Sequence, residues 1–439
     1  MMSEIINIIN ANVLIKGNIL DVGITIIGDK IVKIGKESTL QKAERTFNAG
    51  RRLVLPGFID VHTHLRDFKL SYKENFSSGT AAAVAGGFTT VLDMPNSKPP
   101  TTTTEIVKER ILKAKGKIFC DVGFYATPRS PDQVENLVDS GCKAMKIYMA
   151  KPIDHENYST ERDISKLIQK VSSVGIVLSV HAEDPNFIKR TEADLSPELH
   201  AWSHTIKAEE SAIDIAINAS QKFGGKLHIC HVSTLGGLNK IRNAKEKGVD
   251  ITCETAPHYI TLTNKIFNRF GKKSIVEPPL RSKRHIEAIV KGISNGDVDI
   301  IATDHAPHTL EEKDQGSPGF PGLETAVPIL YTLVRDGILT LSRVTDAFTT
   351  KPAERFSLLD RGKIEVGRVA NLTIIDLKSE KKIDSQNFFS KCKFSPFDGK
   401  VVKASIYATF VRGKLVFLDG EVVPSIKAGM TIKDRKRHE

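Results

Sequence analysis

His62 and His64 stand two residues apart at the end of the run Phe58-Ile59-Asp60-Val61-His62-Thr63-His64-Leu65-Arg66-Asp67, which Pro56-Gly57 introduces. Side chains two apart on a β-strand share a face, so the two imidazoles can hold one metal ion between them. Arg66 continues the alternation, and on a persisting strand its guanidinium points into the same space. The pattern is that of a metal site with an anion-binding group beside it. A His-x-His pair alone is only suggestive, and a structural role competes with it until later strands supply further donors.

Such donors recur at the ends of later apolar runs. From about residue 56 to 355, strand-like runs alternate with helical segments, Thr80–Ala85 and Ile106–Lys115 among them, as in a parallel α/β barrel. The strand candidates are Phe58–Val61, Thr89–Leu92, Asp121–Tyr125, Ala144–Tyr148, Ile176–Val180, Lys226–Cys230, Ile251–Glu254, Ser274–Val276 and Asp299–Ala302. That is one more than a (β/α)8 barrel holds, so either Ile251–Glu254 or Ser274–Val276 is an excursion. Barrel enzymes carry their chemistry at the carboxyl ends of the strands. Those ends present His62, His64, Lys146, His181, His231 and Asp304.

Four histidines and an aspartate suit a borderline divalent cation such as zinc. Any one of these histidines is better read as structural; His228, three residues before His231, is expected to point elsewhere. Lys146 is no ligand as an ammonium. A lysine of depressed pKa can react with carbon dioxide to give a carbamate, whose two oxygens could bridge two cations. The competing reading is a lysine that snorkels or pairs with an acid.

Short β elements flank this central region. Ile5–Ile9, Val13–Ile15, Ile24–Ile27 and Ile31–Ile34 precede it; Leu372–Ile375, Val401–Ala404, Ile406–Phe410 and Leu415–Phe417 follow it. The expected architecture is α/β: a TIM-like (β/α)8 barrel at 56–355 and one small β-sandwich domain built jointly from 1–55 and 356–425. A polar tail, 426–439, is expected to fray. The 439 residues include 63 Lys and Arg against 52 Asp and Glu, a net charge of +11. Apart from Lys433-Asp434-Arg435-Lys436-Arg437 the lysines are dispersed and no nucleic-acid motif accompanies them, so the charge reads as a solvated surface. No run is long and apolar enough to span a membrane, and Met1-Met2-Ser3-Glu4 does not open a signal peptide. The five cysteines (Cys120, Cys142, Cys230, Cys253, Cys392) are widely spaced, several in apolar runs, so buried reduced thiols and a cytoplasmic location are expected.

Six segments then carry a resemblance. His62-Thr63-His64-Leu65-Arg66-Asp67, Met94-Pro95-Asn96-Ser97-Lys98-Pro99, Lys146-Ile147-Tyr148, His181-Ala182-Glu183, His231-Val232-Ser233 and Thr303-Asp304-His305-Ala306-Pro307-His308 resemble, in order and spacing, the motifs of the cyclic amidohydrolases of the amidohydrolase superfamily. Within that group they are most similar to the dihydroorotases. The resemblance runs from about residue 5 to 420 and includes the closing motif Gly367-Arg368-Val369-Ala370-Asn371-Leu372. The His-x-His and Asp motifs are shared across the superfamily, whereas the Arg and Asn motifs are more selective.

The resemblance implies a zinc-dependent hydrolase of a small cyclic amide, with one or two ions. His62, His64 and Asp304 would bind the first ion, His181 and His231 the second, and a carboxylated Lys146 would bridge them. A metal-bound hydroxide would attack the ring carbonyl, with Asp304 as general acid/base. Run backwards, such a site closes N-carbamoyl-L-aspartate to L-dihydroorotate and water in pyrimidine (UMP) biosynthesis. Arg66, Asn96 and His308 match family positions that hold this acidic substrate, and a planar guanidinium suits its carboxylate. Pro321-Gly322 resembles a segment whose backbone hydrogen-bonds the ring, and Gln315–Gly322 has the composition of a mobile cover.

One residue departs from the family pattern. Many relatives have Asn before Pro278-Pro279-Leu280-Arg281; here Glu277 is expected to turn away from an anionic substrate or to be neutralised. The competing structural readings make Arg66 a partner of Asp67 or Glu74, Asn96 a turn residue and His308 a solvent-facing loop residue. The rival functions are a hydantoinase or allantoinase acting on uncharged rings, and a non-catalytic scaffold. Among partners, a homodimer and an association with aspartate carbamoyltransferase, known in some relatives, remain open, and neither nucleic acid nor membrane is expected.

Overall fold

The computed structural model describes residues 4–189 and 196–433. Residues 434–437 of the basic run and 434–439 of the expected tail lie outside the described residues.

Eight parallel strands follow one another in sheet order: Phe58–Thr63, Phe88–Asp93, Asp121–Ala126, Ala144–Tyr148, Val177–His181, Lys226–Ile229, Ile251–Thr255 and Ile300–Ile301. Parallel neighbours need long crossovers, supplied here largely by helices that cover the outer face. The helix Glu161–Val174 is representative. Thr160 caps it by accepting from the Asp163 N–H, Gly175 ends it at φ +69°, and Ile164, Leu167, Ile168 and Val171 form its buried stripe. The barrel closes where Thr63 pairs with His305, and the His64 N–H donates to the His305 carbonyl at 2.8 Å. Below that seam Asp60 accepts from the His62 N–H (3.1 Å) and from the Thr303 N–H and hydroxyl (3.2 and 2.5 Å), lacing the first strand to the last.

Of the two rival runs, Ile251–Thr255 is the barrel strand and the run at 274–276 is the excursion. The Ile275 carbonyl finds its donors in a loop, from the Gly319 N–H (3.1 Å) and Lys313 Nζ (3.2 Å), rather than in a neighbouring strand.

The flanking segments meet in one seven-stranded sheet. Leu53–Pro56 pairs antiparallel with Leu372–Asp376, joining strands from before the barrel to strands from after it. A four-stranded sheet, including Ile5–Ile9 and Gly23–Ile27, packs near it around a common core of Ile8, Val13, Ile24, Ile26, Val54, Leu372, Ile374 and Phe410. The expectation of a frayed end fails for 426–433. Thr431–Ile432 adds a short parallel pairing to Asp121–Ala126, and the Met430 N–H donates to Asp121 Oδ1 at 2.8 Å. The buried carboxylate of Asp121, which also takes Arg361 and Arg412, anchors that segment.

Candidate active site

The first strand ends at Thr63, directly above the Asp60 seam. His62 and His64 project from this end towards Asp304, whose Oδ1 lies 3.3 Å from His62 Nε2 and 3.5 Å from His64 Nε2. Each imidazole is oriented from behind. His62 Nδ1 hydrogen-bonds the Glu254 carboxylate, and His64 Nδ1 hydrogen-bonds Asn96 Oδ1 at 2.6 Å. With Nδ1 donating, each Nε2 carries a lone pair. Burial drives His64 down to about 3, so it is neutral. Two lone pairs facing one carboxylate oxygen repel unless a cation joins them, and this donor set fits a divalent ion.

The second pair lies alongside. The His181 and His231 ring centroids are 4.5 Å apart, and His231 lies 5.3 Å from His62 by the same measure. His181 Nε2 donates to Glu183 at 2.8 Å, which leaves Nδ1 with its lone pair. Nδ1 of His231 is buried without a hydrogen-bond partner, and burial holds that ring well below the usual histidine range. An orphaned ring nitrogen in a cluster of imidazoles fits a second ion. Lys146, fully buried on the fourth strand, donates from Nζ to Cys230 Sγ at 2.8 Å. No acid pairs with it among the described residues, and it does not reach the surface, so neither competing reading of this lysine describes it.

Over these groups opens a cavity of about 230 Å³, whose wall includes Arg66, Asn96, Tyr148, Lys151, Glu277 and His308. Arg66 does not arrive by strand alternation. The strand stops at Thr63, and Arg66, Asp67 and Phe68 all adopt left-handed backbone, at φ +58°, +51° and +50°. His231 (φ +34°) and Asp304 (φ +49°) do the same just past their strands. Non-glycine residues seldom take this conformation, and they cluster at functional sites. The turn carries the Arg66 guanidinium to the Pro307 carbonyl (3.3 Å) and to His308 Nε2 (3.2 Å). Neither Asp67 nor Glu74 is its partner: Asp67 binds Lys113 at 2.9 Å, and Glu74 takes Ser390. Among the described residues no carboxylate pairs with Arg66, although it is only 8 % exposed.

Other expected residues lie differently. Pro321 and Gly322 are buried behind the wall, where the Gly322 N–H donates to His305 Nδ1 at 3.2 Å; Pro318 and Gly319 are the members of this segment that line the cavity. Within this stretch Lys313 Nζ donates to the Ser317 (2.7 Å) and Gly319 (2.8 Å) carbonyls. Glu277 does not turn away: it lines the cavity and is neutralised by an ion pair with Lys151. Burial opposes its charge, but Lys151 outweighs that and keeps the carboxyl below its ordinary range.

Three acidic residues in supporting positions escaped the sequence reading or entered it only as motif neighbours. Glu254 joins His62 to His228 Nε2 (3.1 Å), so His228 points away from the cavity yet acts on it. Burial opposes the charge on Glu254, but His62 and His228 hold it well down. Glu183 joins His181 to His204 Nδ1 at 2.9 Å. Asp93 fixes the turn carrying Arg66 by accepting from the Leu65 N–H at 2.8 Å while pairing with the buried Arg110. The available signal was an acid inside an otherwise apolar barrel strand, as in Ile251-Thr252-Cys253-Glu254.

Residues 53–416 match the model of the Amidohydrolase family. The chain is 37% identical over 400 residues to a dihydroorotase of Trichlorobacter lovleyi, covering 88% of this chain and 92% of that one. It is 35% identical over 436 residues to a dihydroorotase of Pyrococcus horikoshii, covering 99% and 97%. Among solved structures it superposes on the L-hydantoinase (dihydropyrimidinase) of Arthrobacter aurescens with a TM-score of 0.93 at 28% identity, covering 99% of this chain and 100% of that one. The D-hydantoinase of Thermus sp. gives 0.90 at 25% identity, covering 98% of each.

Proposed function

The chain belongs to the amidohydrolase family, and from that premise we propose that it is a dihydroorotase. It would close N-carbamoyl-L-aspartate to L-dihydroorotate and water, and reopen it, as a step of pyrimidine synthesis. The observation that carries this reading is the buried Arg66 guanidinium, on the cavity wall beside His308 and without a carboxylate partner among the described residues. Such a group is a receptor for a planar anion. The relatives named dihydroorotase support the same substrate.

His62, His64 and Asp304 would hold one divalent ion, with zinc favoured by the donor set, and His181 and His231 a second. Bound there, two cations acidify a water and polarise the scissile carbonyl. As a neutral amine, Lys146 would take up carbon dioxide, losing one proton as its Nζ–C bond forms, and the resulting carbamate would offer its anionic oxygens as further ligands. Arg66 and His308 would grip the ring carboxylate, and Asn96 would keep His64 in its ligating tautomer. In the opening direction Asp304 accepts a proton from the attacking water and delivers it to the departing ring nitrogen. In the closing direction it takes the proton from the carbamoyl nitrogen and passes it to the departing oxygen. Closure turns a dianion into a monoanion, so one further proton comes from solvent. All five cysteines are buried and free, which supports a reducing compartment, the cytoplasm, as its location.

The test is closure of N-carbamoyl-L-aspartate by metal-loaded protein in weak buffer, following product absorbance and an indicator dye together. The reading expects one proton consumed per dihydroorotate formed; no product with fully loaded protein rejects it. A second reading, a hydantoinase, is favoured by the structural likeness to hydantoinases. That reading gives Arg66 no task.

A further inference from the structure

A second cluster of ligating side chains stands beside His181. His200 lies in the short helix Pro197–Ser203 and His204 ends it, and four residues apart they share a face. Their rings stack with centroids 4.5 Å apart. Glu277 reaches them from a distant loop. One ring nitrogen of each histidine and one carboxylate oxygen of Glu277 lie within 4.8 Å of one another. None of the three belongs to the catalytic set.

The surroundings hold these donors in the state a cation requires. Glu183 accepts from His204 Nδ1 at 2.9 Å, so that nitrogen carries a proton and Nε2 is left facing Glu277 Oε1 at 3.7 Å. His200 donates through Nε2 to the Val276 carbonyl at 3.3 Å, which leaves Nδ1 with the lone pair. Arg281 Nη1 donates to the His204 carbonyl at 2.8 Å and fixes the end of the helix. For bonds of about 2.0–2.1 Å, two ligand atoms on a tetrahedral zinc lie roughly 3.3 Å apart. The present gap between His204 and Glu277 is therefore near the span a bound ion would impose.

We propose that His200, His204 and Glu277 form a separate divalent-cation site of the zinc class, with three protein ligands and a fourth position for water or an anion. Glu277 also lines the catalytic cavity, so an ion here would sit in its wall and cancel the charge that sets this chain apart from relatives with Asn. Lys151 now performs that neutralisation. Its side chain is 59% exposed, so the ammonium can withdraw to water as an ion takes its place. The inference is independent of which ring the enzyme opens. Its competitor is a chain of ion pairs in which His204 is an imidazolium between Glu183 and Glu277.

The experiment counts ions. The intact protein, His200→Ala and the control His155→Ala, whose side chain is 87% exposed, are each equilibrated with Zn2+ and their metal content measured. The expected result is one ion fewer in His200→Ala than in the parent, and no change in the control. Equal counts in parent and His200→Ala overturn the proposal and leave the ion-pair chain. Because a poorly folded variant would also lose metal, crystals of the unaltered zinc-loaded chain supply a second measurement at the zinc absorption edge. An anomalous peak bonded to His200 and His204 supports the site, and a map without one there overturns it.

Discussion

Nη2 of Arg66 lies 3.2 Å from Nε2 of His308, although 242 residues separate them; Glu312 takes His308 Nδ1 at 3.1 Å, and among the described residues no carboxylate pairs with Arg66. The His308 imidazole accepts from one guanidinium N–H and so orients a buried cation whose remaining N–H groups are arranged for an anion from outside. Exchanging Arg66 for Lys keeps a charge but removes the planar fork, and loss of a buried charged contact costs about 2–5 kcal/mol. The expected result for Arg66→Lys is a fall in kcat/KM for dihydroorotate of roughly 30-fold or more, with a much smaller change for hydantoin. Steady-state kinetics on both rings checks it, and equal losses would remove the assigned role.

Glu254 supports the candidate metal site at one remove. It holds His62 by Nδ1 and is itself held by His228. Carboxylates that orient a ligating imidazole are worth about 10–100-fold in metal affinity. Glu254→Gln is expected to lose metal to a chelator at a correspondingly lower concentration, read by competition with a chromophoric chelator. An unchanged affinity would make Glu254 a packing residue.

The cluster of histidines proposed as ligands was legible in the sequence because barrel strands end where their chemistry begins. An apolar run followed by His or Asp is a local signal, and His62, His181, His231 and Asp304 each end or follow one. The supporting contacts were not legible, since His62 and Glu254 are 192 residues apart and only barrel closure brings them together. Arg66 was found for an incomplete reason: a left-handed turn, not strand alternation, carries it to the cavity. The choice between the runs at 251 and 274 also lay beyond local pattern. Both are short and apolar, and the donors that claim the Ile275 carbonyl come from residues 313 and 319.

Lys146 makes its own prediction. Its Nζ now donates to Cys230 Sγ, and bridging two ions requires a carbamate instead. Protein stripped of metal and carbon dioxide should regain activity only when divalent metal and bicarbonate are supplied together. Time courses of reactivation with and without bicarbonate test this; full recovery in its absence would exclude the carbamate.

Stability should fall with rising pH across a defined window. Burial raises the Glu324 carboxyl from 4.5 to about 8, despite hydrogen bonds from the Phe389 and Ser390 N–H groups. Between those values the unfolded chain releases a proton that the folded chain keeps, so the folded state loses stability as pH rises through the window. Thermal melts from pH 4.5 to 8 should show a downward slope from this group, and Glu324→Gln should flatten it. An unchanged slope in the variant would remove Glu324 as the cause.

The account rests on divalent ions and an anion receptor sharing one cavity. The measurement that tests this most directly is the ratio of kcat/KM for L-dihydroorotate to that for hydantoin, taken on metal-loaded protein. The predicted ratio is about 100 or more, the scale expected when a buried guanidinium meets its anion. A ratio below one would contradict it.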